Sequence, residues 1–184
     1  ETDPSAPGAA AAGLRTLGIR GANVTVPLKE RLLPHMDALA PSAQRAGALN
    51  TVVNQGGRLV GHNTDGEGLF DALEHRGRPP VGSVLVLGAG GTGRAVAATA
   101  LARGAAVQIL NRTEARARAA AASLGPGAAA GPLTTEAFTE AAARADLVVH
   151  CTAAGRDAIE SLDLRGFAGH TWVDVNYWEG AGRP

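Results

Sequence analysis

A single lysine, Lys29, stands among sixteen arginines in this chain of 184 residues. Arginine stays protonated at any accessible pH, whereas a primary amine can gain or lose a proton when its surroundings shift it. Lys29 is therefore either a proton donor or acceptor, or a lysine that merely survives on a solvated helix. Composition alone does not choose. A second constellation is sharper: Gly88, Gly90 and Gly93 form G-x-G-x-x-G within the run Gly88-Ala89-Gly90-Gly91-Thr92-Gly93. In such a turn the first glycine permits the bend, the second lets the backbone approach a pyrophosphate, and the third brings helix and strand together. About 20 residues further on, an acidic side chain would bind the ribose diol of NAD. This chain instead carries Asn111-Arg112-Thr113. Arg112 offers a planar fork to a 2′-phosphate, and Asn111 and Thr113 offer further hydrogen bonds, so NADP(H) is the expected cofactor. Glu114 keeps NAD as the alternative, and Arg94 either adds charge to the same pocket or is solvated.

These residues need elements to position them. Leu14, Leu17 and Ile19 suggest the end of a short helix before Gly21, and Ala22 to Val26 reads as a strand. Pro27 is suited to open a helix carrying Lys29, Leu32, Leu33 and Met36. Pro41 and Ser42 start another short helix. Ala48 to Asn54 and Arg58 to His62 read as a hairpin turned by Gly56-Gly57. Asp65 is suited to cap a helix carrying Leu69, Phe70 and Leu73. From Ser83 the pattern changes. Val84 to Leu87 is a continuous apolar run of the kind found in a strand buried on both faces, and it leads into the glycine turn and an Ala-rich helix to Arg103. A strand over 106–110, helices over 114–124 and 137–143, and strands over 147–151 and 171–175 complete an alternation that implies parallel pairing. The expected fold is α/β: a doubly wound, Rossmann-like parallel sheet over residues 81–184, preceded by an α/β substrate-binding and catalytic domain over 1–80. The boundary is placed near Arg76 to Gly82, where glycine, arginine and two prolines cluster.

Composition excludes several classes. Seventeen basic and seventeen acidic residues leave no net charge, so no electrostatic footprint for nucleic acid or an anionic membrane exists. Glycine and proline make 35 of 184 residues, below the ~25–30% of a disordered chain. One cysteine, Cys151, cannot form an internal disulfide, and no signal peptide or apolar stretch of membrane-spanning length is visible, so a cytoplasmic protein is expected. Five histidines without ligand spacing and a single cysteine predict no metal site. No serine lies in a nucleophile elbow.

Four ordered motifs together resemble shikimate dehydrogenases over roughly residues 13–178: Asn23-Val24-Thr25-Val26-Pro27-Leu28-Lys29, Gly47-Ala48-Leu49-Asn50-Thr51, Gly61-His62-Asn63-Thr64-Asp65-Gly66 and the turn from Gly88 to Arg94. The resemblance implies NADPH-dependent, reversible reduction of 3-dehydroshikimate to shikimate, on the way to chorismate and the aromatic amino acids. It makes Lys29 and Asp65 the catalytic pair. Thr25 and Asn50, with Lys29 and Asp65 themselves, would bind the substrate, and Tyr177 would be a later substrate contact. Thr152 would join Gly88 to Gly93 and 111–113 at the cofactor. By themselves, Thr25 reads as an ordinary strand residue, Asn50 as a loop residue and Asp65 as a helix cap. The alternatives are a quinate or dual-specificity dehydrogenase, and a sensor of the same fold without turnover. Monomer and homodimer are both compatible with the sequence.

The chain departs from the family pattern in places. Around His150-Cys151-Thr152-Ala153-Ala154-Gly155 the family typically has Asn-Ala-Thr-Ser-x-Gly, so Thr152 and Gly155 match while His150 and Ala153 do not. Family members also begin with a serine-bearing segment and end with a glutamine-bearing helix that are not found here, so an incomplete chain is expected.

Overall fold

The computed structural model describes residues 5–78, 81–152, 162 and 171–176. They build two sheets. The first contains β1 (Gly21–Asn23), β2 (Ala38–Leu39), β3 (Thr51–Gln55) and β4 (Arg58–His62) in the order β1-β3-β4-β2. β3 and β4 form the predicted antiparallel hairpin, with Gln55 opposite Arg58. Gly56 and Gly57 both have positive φ, at 63° and 97°, which matches the right-handed twist of the flanking strands. β1 ends three residues before the predicted strand does. Val24 donates instead to the Asn50 carbonyl, and the chain turns at Thr25, whose carbonyl accepts from Leu28. β2 is two residues long, too short to leave a periodic signal.

The helix predicted from Pro27 is also shorter than expected. α2 covers only Leu28–Arg31 and is followed by a 3₁₀ turn, Leu33–His35. Pro34 supplies no N–H and cannot continue an α-helix. The hairpin's inward residues Val52 and Leu59 are fully buried with Leu49, and Leu32, Ala43 and Ala11 close that core from α2, α3 (Pro41–Ala46) and α1 (Pro7–Thr16).

The second sheet is wholly parallel: β5 (Ser83–Leu87), β6 (Ala106–Asn111), β7 (Ala128–Pro132), β8 (Leu147–His150) and β9 (Thr171–Asp174), in the order β7-β6-β5-β8-β9. β7 is absent from the sequence expectation because Ala-Ala-Ala-Gly-Pro carries no β-branched residue. Pairing with β6 at a sheet edge makes it a strand, with its proline at the last position. Alternation along β5 divides the core in two. Val84 and Val86 face Val96, Ile109 and Phe70, while Leu85 and Leu87 face Leu110, Val148 and Phe138. Phe138 meets Trp172 edge to face at 6.2 Å.

The helix after β5, α5 (Gly91–Ala102), is crowded on several sides. Its alanines read as helix propensity in the sequence. In the fold they let α3 and α4 (Asp65–His75) of the first part approach closely, as in the buried group Ala46, Ala48 and Ala95. Gly66 completes the approach, since a Cβ there would lie 2.5 Å from the Ala95 carbonyl oxygen. The remaining described helices are α6 (Glu114–Leu124) and α7 (Thr135–Ala142), the latter capped by the Thr134 hydroxyl, which accepts from Ala137. Among the described residues no helix is long and apolar enough to cross a membrane.

Candidate active site

Sheet order reverses at β5, where β6 lies on one side and β8 on the other, and in doubly wound sheets ligands bind outside the strand ends at such a point. A cleft of about 430 Å³ opens there, a usual size for a small-molecule site. Pro27 and Lys29 line one wall, the glycine turn the other, and Cys151 and Thr152 also line it. The three glycines of the motif have the surroundings their jobs require. Gly88 has φ 112°, a Cβ on Gly90 would meet nothing within 4 Å, and a Cβ on Gly93 would collide with the Gly88 carbonyl. The first turn of α5 thus presents backbone N–H groups to an open cleft, which suits a phosphate.

Lys29 leaves α2 with its side chain 12% exposed and reaches the Asp65 carboxylate, itself 19% exposed, at 2.5 Å. Being mostly buried, this ion pair is less screened by solvent than a surface pair. Asp65 is the first helical residue of α4 rather than its N-cap, which is Thr64, and the Thr64 side chain makes no capping hydrogen bond. Asn63 does local work at this helix start that the sequence suggests for Asp65: its Oδ1 accepts from the Asp65 N–H at 3.0 Å, and its buried amide donates to the Ala48 carbonyl. The Asp65 carboxylate is left to the cluster. Its Oδ1 accepts from Asn50 Nδ2 at 2.7 Å, and its Oδ2 accepts from Lys29 Nζ and from the Thr92 hydroxyl. Asn50 is held in turn, since its Oδ1 accepts from the Thr64 N–H and the Thr51 hydroxyl. Lys29, Asp65, Asn50 and Thr92 therefore meet in one hydrogen-bonded group contributed by both sheets' surroundings. Thr25 stays outside it, exposed, with its hydroxyl unpaired among the described residues. Tyr177, Ala153 and Gly155 lie outside the described residues.

At the far end of the cleft, Arg112 is exposed and Thr113 follows it. Asn111 is engaged internally: its Oδ1 accepts from the Ala89 N–H and its Nδ2 donates to the Thr113 carbonyl, tying the glycine turn to the end of β6. Arg116, which the sequence reading did not single out, lines the same end, 4.0 Å from Glu30 of α2. Its spacing of four from Arg112 on a predicted helix start was the available signal. Arg94 points away from the phosphate turn. It donates to the Ala46 carbonyl at 2.8 Å and to the Ser123 hydroxyl, bridging α3 and α6.

Cys151 lines the cleft, and His150 precedes it at the end of β8. Burial, with Asp65 and Asp174 nearby, pushes the Cys151 thiol well above its usual range, which favours the neutral thiol over the thiolate. His150 is 1% exposed, with Nδ1 3.1 Å from Asp174 Oδ1 and Nε2 2.6 Å from the Thr152 hydroxyl. Among the described residues no group of three or more His, Cys, Asp or Glu could hold a metal ion.

Chemically, the cluster offers an ammonium with one carboxylate partner, facing a turn built for a dinucleotide. That is the equipment for moving a proton while a bound nicotinamide exchanges hydride. Family models agree with it. Residues 1–52 match the shikimate dehydrogenase substrate binding domain, and residues 77–174 match the shikimate / quinate 5-dehydrogenase model. The NADP(+) shikimate dehydrogenase of Symbiobacterium thermophilum is 44% identical over 165 residues, which cover 85% of this chain and 56% of the relative. That of Thermus thermophilus is 40% identical over 185 residues, covering 88% and 70%. The crystal structure of the shikimate 5-dehydrogenase from Thermus thermophilus in complex with NADP(H) and shikimate superposes with a TM-score of 0.78 at 41% identity, covering 94% of this chain and 64% of that one. The chain spans about half the length of the curated relatives it matches first. With two models matched in order along the chain, and a relative 40% identical over most of both chains, this protein belongs to the shikimate dehydrogenase family.

Proposed function

We propose that this protein reversibly reduces 3-dehydroshikimate to shikimate with NADPH, with residues up to about 80 forming the substrate side and those from 81 onward the dinucleotide side. The observation that carries this reading is the Lys29–Asp65 pair at 2.5 Å, turned toward the glycine turn across one cleft. The backbone N–H groups of Gly91, Thr92 and Gly93 hold the pyrophosphate, and Arg112 with Arg116 holds the 2′-phosphate. Among the described residues lining that end, Arg112 and Arg116 outnumber the one carboxylate, Glu30, which favours NADP over NAD there. When bound, the reduced nicotinamide supplies the hydride that converts the ketone carbon to a carbinol. Lys29 Nζ gives a proton to the carbonyl oxygen as it becomes a hydroxyl, and takes it back in the reverse direction. Asp65 holds that ammonium and, with Asn50, Thr25 and Tyr177, grips the substrate's hydroxyl groups. Thr152 contacts the cofactor from the β8 side.

A positioned acid of this kind contributes about 10²–10⁴-fold, and alignment of the two reactants supplies the rest. The test is a spectrophotometric assay of the whole protein with shikimate and with quinate, each against NADP and NAD. Turnover of shikimate with NADP well above the other three combinations supports the reading. Comparable turnover of quinate moves the assignment to a quinate or dual enzyme, and ligand-stabilised melting with no turnover of either moves it to a sensor.

A further inference from the structure

Thr92 belongs to the phosphate turn, yet its hydroxyl is directed elsewhere. It accepts from Lys29 Nζ at 2.8 Å and donates to Asp65 Oδ2 at 3.0 Å, so that ammonium, carboxylate and hydroxyl close a three-membered ring. Near the start of a helix a threonine hydroxyl commonly bonds its own backbone. Both bonds of Thr92 go instead to the other side of the cleft, to residues 63 and 27 positions away in sequence. We infer that Thr92 is a positioning residue for the proton donor: its hydroxyl fixes Lys29 Nζ against α5, so that the turn that holds the dinucleotide also sets where the proton is delivered. This rests on the reductase reading above and adds a residue to it.

The argument is mechanical. A lysine ammonium ends a flexible four-carbon stem, and one partner fixes its distance while leaving it free to swing. Asp65 is one such point. Thr92 is a second, and it comes from a stiff base, because a β-branched side chain has few χ1 choices. The backbone beneath it is fixed as well: Arg94 donates to the Gly90 carbonyl, and Gly91 is pressed against the lysine stem, where a Cβ would lie 2.9 Å from Lys29 Cβ. That contact explains the one glycine of the run that the dinucleotide motif leaves unexplained. The hydroxyl accepts from the ammonium and donates to the carboxylate at once. Valine would fill the same space and do neither.

The experiment compares Thr92→Val with Thr92→Ser. In the whole protein, Thr92→Val is expected to lower kcat about 10²-fold while KM for the ketone and Kd for NADPH stay within about threefold, as for a group acting on the reacting geometry alone. Thr92→Ser, which keeps the hydroxyl, is expected to recover most of that loss. This 184-residue chain contains one lysine, so isotopically labelled lysine gives one NMR resonance for the ammonium. It should move in Thr92→Val and return in Thr92→Ser without any ligand present. An unchanged kcat in Thr92→Val, a loss carried by KM or Kd, or a serine variant as impaired as the valine variant overturns the inference. Absence of turnover in the unmodified protein overturns the reductase reading instead, and the resonance then decides the positioning by itself.

Discussion

Two networks of the same kinds of group lie within a few residues of the cleft, and they do opposite things. Asp65, Lys29 and Thr92 form a carboxylate–base–hydroxyl group; so do Asp174, His150 and Thr152. The first is assembled from three elements separated by long stretches of sequence, and its basic group is 12% exposed beside the cleft. The second is assembled at the ends of β8 and β9, which are hydrogen-bonded neighbours, and its basic group is 1% exposed. A proton can be handed to a ligand only from a group the ligand can reach. The sealed histidine instead orients the Thr152 hydroxyl and satisfies it, in a place where an unpaired polar atom would be costly. Chemical type is the same in both; access and the number of elements brought together separate a reacting group from a structural one.

Cutting the two networks should therefore give different phenotypes. The largest effect is expected at Lys29→Met, with turnover down roughly 10²–10⁴-fold and NADPH affinity retained, read from steady-state rates beside a fluorescence titration. Asp65→Asn follows, at about 10²-fold in turnover, because the amide keeps the shape while the ammonium loses its anchoring charge. If either variant instead loses stability and keeps turnover, the contrast between the networks is wrong. His150→Leu is expected to act mainly on stability, with a smaller loss of turnover through the Thr152 contact with the cofactor. It orphans the Thr152 hydroxyl at a cost of about 1–3 kcal/mol, seen as a lower denaturation midpoint, while His150→Asn keeps a partner and loses less. The smallest effect is expected at Asp37, an acidic group far from both networks. The Leu59 N–H at 2.6 Å and then the Arg15 guanidinium hold its carboxyl below the usual range. A depressed folded value means that its contribution is fully present above the unfolded value of about 3.9 and is lost as pH falls from there through the lower folded value. In Asp37→Asn, urea midpoints should match the parent more closely at pH near 3 than at pH near 6.

Much of this was legible in the sequence where the signal was local. The buried run Val84 to Leu87, the glycine turn and the Gly56-Gly57 hairpin each encode their conformation in adjacent residues, and each forms. Signals that depended on a distant partner did not show. β7 is a strand because β6 lies beside it. Gly66 and Gly91 matter because α5 and the lysine stem lie against them. The alanines of α5 read as helix propensity when their small volume was the point. Pro34 is a local signal too, and it ends α2 as its missing N–H requires. The motif places Asn111 at the cofactor and leaves Arg94 either in the same pocket or solvated. Their hydrogen bonds also tie separate segments together, a role that sequence position leaves open.

From its residues alone this chain determined a parallel α/β sheet with a phosphate turn, a preference for a cation at the ribose end of the cleft, and one amine with no rival. Those follow from periodicity, backbone permission and charge, which neighbours along the chain decide. Tertiary structure alone decided that the amine, Asp65 and Thr92 share hydrogen bonds while His150 is sealed from the cleft. Proximity and burial arise from packing elements that the sequence lists far apart, and no local property of those residues records it.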